Sequence, residues 1–248
     1  MSADKAPSGN DDFAWRRFDP EAYVAHYYAD PHPDDDEAVR MTARALAALA
    51  PGADVLDVGT GPNLFPLMAA LPRASTVTAW EFSSANTDWL RRELARKTLR
   101  APWPHFWNVV REGYGGEMLA DDPLPALKAK ARIVEGSIFD LPARRWDGAT
   151  MFFCAESITE RQEEFERACH AFARAVKPGG VLAAAFLAKS EGYVVAETAF
   201  PAVSISADTL AAAFAGAARD VAVTAVGLVE EEIRSGYSGM LFLRARAA

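Results

Sequence analysis

Short apolar runs alternate with segments of helical spacing along most of the chain. Three segments carry apolar residues at the helical period and predict helices: Leu64–Leu71, Ala85–Arg100 and Glu163–Val176. Five apolar runs have the length of buried strands: Asp54–Val58, Thr76–Trp80, Arg132–Glu135, Ala149–Cys154 and Val181–Leu187. Strands that alternate with helices predict an α/β fold with a mostly parallel sheet that is covered on both faces.

The two ends of the chain depart from this alternation. After a predicted helix at Ala207–Ala217, the runs Val221–Val229 and Met240–Ala245 predict a hairpin-like antiparallel pair. Residues 1–12 are polar and acidic, and we expect a disordered tail there. The following residues are rich in aromatic side chains, which soluble tails rarely are, so we expect an N-terminal helical cap at 13–50 that packs over the site.

The remaining residues, 51–248, are expected to form a single domain. Prolines, aromatic residues and a glycine cluster interrupt the alternation at about 101–131, which predicts an inserted, partly helical loop. With 248 residues, half of them hydrophobic, the chain is long enough to bury a core of useful size.

Charge and composition exclude several classes of function. The net charge is −8 and no run of lysine and arginine occurs, which argues against a nucleic-acid backbone as the partner. The N-terminus lacks the layout of a signal peptide, and no apolar run reaches the roughly 18 residues of a membrane span. We therefore expect a cytoplasmic monomer that binds a small molecule, and neither nucleic acid nor a membrane.

No metal centre is expected from the cysteine and histidine positions. Cys154 and Cys169 lie in apolar surroundings without a CxxC pair, which indicates neither a disulfide framework nor a zinc site. The four histidines are scattered, and we interpret them as surface or packing residues: His26, His32, His105 and His170.

A glycine loop, Asp57–Gly61, follows the first predicted strand. Ligands of open α/β sheets bind beyond the carboxyl ends of the strands, and Gly59 and Gly61 permit a close approach there. Leu64 stands where a dinucleotide fingerprint has its third glycine, which argues against an NAD-binding oxidoreductase. S-adenosylmethionine (SAM) has no pyrophosphate, so the shorter loop suits this cofactor.

Two further segments extend the predicted Rossmann-like site. Glu81 ends the second strand, where a carboxylate can accept the ribose hydroxyls. After the third strand, Ser137 or Asp140 can hydrogen-bond the adenine amino group, and Ile138 can pack on the ring. Together with the glycine loop, these positions predict cofactor binding.

Several motifs carry a resemblance to a known family: FDPEAYVAHYY (Phe18–Tyr28), VLDVGTGPNLFPL, EFSSAN (Glu81–Asn86), FFCAESI (Phe152–Ile158), VKPGGVL and KSEGYVVAE (Lys189–Glu197). On these motifs, from about Phe13 onward, the chain resembles the nicotinamide/phenylethanolamine/thioether (amine) N-methyltransferase family of class I SAM-dependent methyltransferases. The resemblance implies a class I methyltransferase sheet, mostly parallel with a C-terminal antiparallel strand. It also implies SAM as cofactor and S-adenosylhomocysteine as product.

The resemblance further implies site residues. The three tyrosines of the first motif would fold over cofactor and substrate: Tyr23, Tyr27 and Tyr28. The other implied cofactor contacts are Gly59, Thr60 and Phe65 near the methionine end, Glu81, Phe82 and Asn86 near the ribose and the methionine carboxylate, and Ser137 and Ile138 near adenine. Asp57 and Gly61 are expected to bind the cofactor as part of the glycine loop.

Methyl transfer requires alignment of nucleophile, methyl and sulfur in a dry site. Aromatic rings such as that of Tyr23 can lie over the sulfonium cation, and a carboxylate can orient an amine or accept its proton. Glu156, in FFCAES, is the candidate for that carboxylate. The remaining candidates for the substrate pocket are Phe153, Lys189, Ser190 and Tyr193, beside Tyr27.

The acceptor itself is left open by departures from the family pattern. Phe186 stands where the nicotinamide branch has Asp, and Ser235–Tyr237 stands where the catecholamine-like branch has an acid. We expect N-methylation of a small aromatic or heteroaromatic amine or N-heterocycle. An O-, S- or C-methyltransferase and a non-catalytic SAM-binding protein remain alternatives.

Overall fold

The computed structural model describes residues 6–227 and 239–248. Within these residues the strands are β1 (Ala53–Val58), β2 (Ala74–Glu81), β3 (Ala131–Glu135), β4 (Trp146–Phe152), β5 (Val176–Leu187), β6 (Tyr193–Val195), β7 (Thr198–Phe200), β8 (Ala218–Val226) and β9 (Met240–Ala247). Seven of them form one sheet in the order β3-β2-β1-β4-β5-β9-β8, and β6 pairs with β7 in a separate hairpin. The pairs among β1 to β5 are parallel, whereas β9 runs antiparallel to β5 and β8. The predicted sheet and its antiparallel C-terminal strand are confirmed.

Helices cover both faces of this sheet. They are α1 (Pro20–Tyr27), α2 (Pro33–Leu46), α3 (Phe65–Ala70), α4 (Ser84–Ala95), α5 (Trp103–Gly113), α6 (Leu124–Lys130), α7 (Gln162–Ala175) and α8 (Ala207–Ala213). Successive side chains of a strand point to opposite faces, so Val55 packs in one core with α2, α3 and α5, while Leu56 packs in the other with α7 and α8.

Two boundaries differ from the sequence prediction. The helix expected to reach Arg100 ends at Ala95, and Arg100 instead pairs with Glu93 and Glu21. The segment at about 101–131, predicted as a partly helical loop, holds α5 and α6. The buried apolar face of α5 packs on α2, which is why this segment is ordered as helix.

Part of the N-terminal segment expected to be disordered is ordered. The Ser8 N–H donates to Glu160 Oε2 at 2.7 Å, and the Asn10 N–H donates to Glu164 Oε2 at 2.9 Å. Both Ser8 and Asn10 are buried. Carboxylates at the start of α7 satisfy these backbone donors, a long-range pairing that local composition does not reveal.

No helix in the described part of the chain is long and apolar enough to cross a membrane.

Candidate active site

A cleft of about 780 Å³ lies at the carboxyl edge of β1, β2 and β4, and we call it the cofactor cleft. It contains many of the residues that the sequence predicted: Tyr23, Tyr28, Gly59, Thr60, Gly61, Glu81, Phe82, Asn86, Ile138, Phe153 and Tyr193. The residues at the ends of β1 to β4 meet because parallel strands bring their following loops to one edge, whereas Tyr23, Tyr28 and Tyr193 come from α1 and the β6–β7 hairpin.

The glycine loop of this cleft has a backbone that a side chain would strain. Gly59 and Gly61 have φ values of +61° and +58°. A Cβ on Gly59 would lie 2.2 Å from the Sγ of Cys154, so the loop has no room for one. The Gly59 N–H donates to the carbonyl of Trp80 at 2.7 Å, which ties the loop to β2.

Glu81 joins three segments of the cleft. Its Oε2 accepts the Gly61 N–H at 2.8 Å, and its Oε1 accepts the Ser83 N–H at 2.7 Å and the Asn86 side-chain amide at 3.3 Å. Burial raises the pKa of Glu81, although these donors oppose the shift. Glu81 lines the cleft, where a carboxylate can accept a hydrogen bond from a ligand hydroxyl.

Asp57 lies behind the cleft and does not line it. The side chain is 1% exposed, and its Oδ1 accepts a hydrogen bond from Thr150 Oγ1 at 2.6 Å. Burial raises the pKa of Asp57 to about 7; the hydroxyl of Thr150 opposes the shift and the charge of Glu81 adds to it. The residue thus braces the glycine loop against β4 from inside the sheet.

Aromatic side chains from two separate segments enclose the cofactor cleft. Trp15, in the N-terminal segment, stacks on Phe200 of β7 with ring centroids 5.1 Å apart, and Phe200 stacks on Tyr193 at 5.4 Å. Trp15 and Tyr193 both line the cleft, together with Phe18. The N-terminal segment and the β6–β7 hairpin are therefore joined by ring contacts at the site.

A second cleft, of about 800 Å³, adjoins the first and is called the distal cleft here. Tyr23, Tyr28 and Phe153 line both clefts, so these three rings form the junction between them. The other lining residues of the distal cleft are His26, Tyr27, Asp30, His32, Asp35, Leu187 and Met240. Phe153 has a φ of +49°, a conformation that a bulky residue adopts only when its surroundings impose it.

Phe65 and Ser137 lie outside the cofactor cleft, contrary to the contacts that the resemblance implied. Phe65 is buried between the rings of Tyr28 and Phe152, at 5.7 and 4.9 Å. The Ser137 hydroxyl accepts the Phe139 N–H at 3.2 Å and caps a short turn, which occupies it locally. Ile138 lines the cleft where Ser137 does not.

The residues predicted for the substrate pocket do not all lie in one cleft. Tyr27 and Phe153 line the distal cleft, and Tyr193 lines the cofactor cleft. Lys189 is exposed and lines neither cleft. Ser190 is 1% exposed, and its Oγ has no hydrogen-bond partner among residues 6–227 and 239–248.

Glu156 is fully buried and lines neither cleft. Its Oε1 accepts the Leu187 N–H at 2.9 Å, and its backbone carbonyl accepts the Val203 N–H at 2.8 Å. Leu187 itself lines the distal cleft. Glu156 therefore contacts the wall of that cleft from behind.

Sequence reasoning missed several lining residues. In the cofactor cleft these include Asn10, Trp15, Asn63 and Trp80. In the distal cleft they include Asp30, Asp35 and two histidines interpreted as surface or packing residues, His26 and His32. The aromatic and acidic character of 13–36 was the available signal, but which side chains face the clefts depends on how α1 and α2 dock. Ser235–Tyr237, one basis for the expected acceptor, lies outside the described residues.

The cofactor cleft fits a nucleoside with a polar tail. Asn86 is 4% exposed, and its Oδ1 has no hydrogen-bond partner in the part of the chain that the structure describes. This oxygen can therefore accept a hydrogen bond from a ligand. Phe82 and Ile138 offer apolar contacts for a flat ring. In residues 6–227 and 239–248, no group of three or more His, Cys, Asp or Glu is arranged to hold a metal ion.

Comparison with known proteins agrees with this geometry. Residues 8–248 match the NNMT/PNMT/TEMT family. Human phenylethanolamine N-methyltransferase is 26% identical over 219 residues, which cover 78% of this chain and 74% of the human protein. The mouse enzyme is 24% identical over 220 residues, covering 78% and 71%.

Solved structures share the fold at low identity. The N-methyltransferase NodS from Bradyrhizobium japonicum, in complex with S-adenosylhomocysteine, has a TM-score of 0.55 and 13% identity, covering 88% of this chain and 89% of NodS. Magnesium protoporphyrin IX methyltransferase from Synechocystis, with bound SAM, has a TM-score of 0.57 and 12% identity, covering 92% and 90%.

Proposed function

The chain belongs to the NNMT/PNMT/TEMT family and is a SAM-dependent methyltransferase, and from this premise we propose that it methylates a nitrogen of a small aromatic or heteroaromatic acceptor. One observation carries the proposal: the aromatic junction of Tyr23, Tyr28 and Phe153 connects the cofactor cleft to a second cleft. Ligand pockets are lined mainly by apolar and aromatic side chains, and the lining of this cleft by Tyr27, Leu187 and Met240 suits an acceptor of one or two rings.

Within this proposal, SAM supplies a methyl group bonded to a positively charged sulfur. Glu81 and the loop at Gly61 bind the ribose, since Glu81 is anchored by the Gly61 and Ser83 amides and lines the cleft. The Asn86 Oδ1 accepts a further donor from the nucleoside or its amino-acid tail. Phe82 and Ile138 contact the adenine ring.

The junction rings exclude water and favour positive charge. Tyr23 lies 4.6 Å from Tyr27 and 5.9 Å from Tyr28, centroid to centroid, so the rings form a continuous apolar surface with electron-rich faces. Such faces attract a cation, and this attraction holds the reacting centre between the clefts. Tyr23 is therefore assigned a role at the reacting atoms, as the sequence predicted.

The acceptor nitrogen reacts through its lone pair. A new nitrogen–carbon bond forms as the carbon–sulfur bond breaks, the sulfur keeps the bonding pair, and the positive charge passes to nitrogen. A ring nitrogen of the pyridine type then needs no base, whereas an amine later releases one proton to water. Alignment and desolvation at the junction supply the rate enhancement.

Glu156 acts in this proposal as a positioning residue rather than as the catalytic carboxylate predicted from the sequence. Its hydrogen bond to the Leu187 N–H fixes the end of β5, and Leu187 borders the distal cleft. Lys189 and Ser190 follow directly on this strand end, so their substrate contacts, still predictions, depend on the same hydrogen bond.

A screen for methyl transfer tests the proposal. The purified protein is incubated with methyl-labelled SAM and a panel of aromatic amines, N-heterocycles, phenols and thiols. Calorimetry with SAM, S-adenosylhomocysteine and NAD accompanies the screen. Transfer to nitrogen compounds supports the proposal. Transfer confined to oxygen, sulfur or carbon acceptors, or cofactor binding without any transfer, contradicts it. A monomeric state and a cytoplasmic location, expected from the sequence, stay predictions.

A further inference from the structure

The two side chains that the sequence predicted for the amino group of adenine do not line the cofactor cleft. The Ser137 hydroxyl accepts the Phe139 N–H at 3.2 Å, and the Ser137 carbonyl accepts the indole N–H of Trp80 at 2.9 Å. Asp140 is exposed, and it lies outside the cleft as Ser137 does. Because buried polar groups are hydrogen-bonded, a different part of the cleft wall must supply an acceptor for the amino group.

Asn10 brings an amide side chain into the wall of this cleft. The residue is 4% exposed and lines the cleft. Within residues 6–227 and 239–248 its side-chain amide makes no hydrogen bond, whereas both of its backbone groups do. A buried amide without a partner is costly, so a ligand that supplies the missing hydrogen bonds explains the position of this side chain.

The backbone of Asn10 is held from two directions. Its N–H donates to Glu164 Oε2 at 2.9 Å, and its carbonyl accepts the indole N–H of Trp15 at 2.9 Å. Two residues earlier, the Ser8 N–H donates to Glu160 Oε2 at 2.7 Å. The amide is therefore presented to the cleft from a fixed backbone, and replacement of the side chain leaves these backbone contacts in place.

Asn10 lies at the same end of the cleft as Ile138, because α7 holds both of them. Glu164, in the first turn of α7, binds the Asn10 N–H. Arg167, three residues later, lies over the ring of Phe139 with its guanidinium carbon 4.8 Å from the ring centroid, and Phe139 follows Ile138 directly. The Asn10 side chain is thus near the residue that contacts the adenine ring.

The N-terminal segment then crosses to the other side of this end of the cleft. The Trp15 carbonyl accepts the Ser83 hydroxyl at 2.8 Å. Ser83 follows Phe82, the second residue assigned to the adenine ring, and both Trp15 and Phe82 line the cleft. Residues 10–15 therefore span the adenine end from α7 to the end of β2.

We propose that Asn10 recognises the adenine base of the cofactor by accepting a hydrogen bond from its exocyclic amino group. An asparagine amide can also donate to a neighbouring ring nitrogen, the two-point pairing by which asparagine identifies adenine in DNA. The N-terminal segment, rather than the loop after β3, then supplies specificity for the base. This role concerns the cofactor alone and is independent of the atom that accepts the methyl group.

Two ligands that differ only at the amino group test this role. S-adenosylhomocysteine and its 6-desamino analogue, which has purine in place of adenine, are titrated into the protein by calorimetry. We expect the wild type to bind S-adenosylhomocysteine about fivefold more tightly, the scale of one neutral hydrogen bond. Asn10→Ala should reduce this preference to less than about twofold, mainly by weakening the binding of S-adenosylhomocysteine.

Asp11→Ala is the matched control, because Asp11 neighbours Asn10 but is exposed and does not line the cleft. It should keep the wild-type preference. Ser157→Ala tests a competing acceptor, since Ser157 is buried and also lines the cleft. Removal of residues 1–12 should abolish the preference and removal of residues 1–6 should keep it, so the result does not depend on the folding of one variant.

Equal affinity of the wild type for the two ligands overturns the inference. An equal loss of both ligands in Asn10→Ala does so too, because it shows that the residue only holds the segment in place. A preference that survives in Asn10→Ala and disappears in Ser157→Ala assigns the contact to Ser157 and rejects Asn10. None of these outcomes bears on the methyl acceptor, which the transfer screen tests separately.

Discussion

The thiol of Cys154 occupies the space that a side chain on Gly59 would need. A Cβ on Gly59 would lie 2.2 Å from the Cys154 Sγ and 2.7 Å from its Cβ. Gly59 follows β1 and Cys154 follows β4, which are paired strands, so their two loops are packed directly against each other. The conformation of the glycine loop therefore depends on a residue about 95 positions away in the sequence.

Gly59→Ala should destabilise the protein by roughly 2–4 kcal/mol and abolish measurable SAM binding, because it combines a steric overlap with a left-handed backbone. Thermal unfolding and calorimetry measure the two effects. Gly115→Ala is the control: its φ is +64°, but a Cβ there meets no atom within 4 Å. It should cost only about 1 kcal/mol and keep SAM affinity. Cys154→Gly should partly rescue Gly59→Ala, and equal effects of the two glycine substitutions would refute the steric explanation.

Glu81→Gln should weaken SAM binding by about 10- to 100-fold, the scale of one or two charge-assisted hydrogen bonds. The glutamine amide can accept from only one of the Gly61 and Ser83 N–H groups, so the loop and the ligand contact are both disturbed. Glu135→Gln is the matched control, since Glu135 pairs in register with Glu81 at the end of β3 but is exposed and outside the cleft. Unchanged affinity in Glu81→Gln would remove the ribose assignment.

Removal of residues 1–12 should raise the KM for SAM several-fold with a smaller effect on kcat. Asn10 lines the cofactor cleft, and the segment is held by Ser8 to Glu160 and Asn10 to Glu164. Removal of residues 1–6 keeps these contacts and serves as the control. Limited proteolysis should show that SAM protects the segment. Identical kinetics for the two truncations would show that the segment does not contribute to the cleft.

Asp57→Asn should change how stability depends on pH. Burial raises the pKa of Asp57 from 3.8 to about 7, so the folded protein favours the neutral acid. The contribution of Asp57 to the free energy of unfolding is therefore highest below pH 3.8 and falls as the pH rises to about 7. Asparagine stays neutral, so the free energy of unfolding of Asp57→Asn relative to that of the wild type should increase by about 2–3 kcal/mol between pH 5 and pH 8.

Asp147→Asn provides a control of opposite sign for that titration. Burial raises the pKa of Asp147, but the hydrogen bonds from Lys177 and the Asp54 amide together lower it by more, so the net shift is downward. Its contribution to stability is therefore present at neutral pH and lost as pH falls through the lowered pKa. Chemical unfolding of both variants across pH 3–8 measures the difference. Parallel wild-type and Asp57→Asn curves would contradict the assigned shift.

Substitutions of Glu156 distinguish positioning from proton transfer. Glu156→Ala leaves the Leu187 N–H buried without its acceptor, so it should raise the acceptor KM and cost about 1–3 kcal/mol of stability. Glu156→Gln keeps an oxygen for this N–H and should restore near-normal kinetics with an unchanged pH profile. If turnover by Glu156→Gln is as slow as turnover by Glu156→Ala, and the pH profile shifts, Glu156 takes part in the chemistry.

The sequence alone determined the parts of this protein that depend on local pattern. The apolar run Asp54–Val58 predicted β1, observed at Ala53–Val58, because a buried strand requires consecutive apolar side chains. The glycine loop and Glu81 were predicted together because consecutive parallel strands bring their carboxyl ends to one edge. The helix beginning near Ala85 was predicted too long, since its charged pattern continues into Arg96 and Arg100, which lie beyond the helix and pair with Glu93 in its last turn.

Only the tertiary structure decided which side chains share a cleft. The docking of α1 and α2 brings Asp35 and His26 to the junction rings, and a turn between Ser137 and Phe139 withdraws the Ser137 hydroxyl from the cofactor cleft. Neither result follows from residue type, because an aspartate or serine has the same local chemistry whether it faces solvent, a turn or a ligand. Packing between segments distant in the chain determines that choice. The fold and the glycine loop were therefore accessible from sequence, whereas the lining of the distal cleft was not.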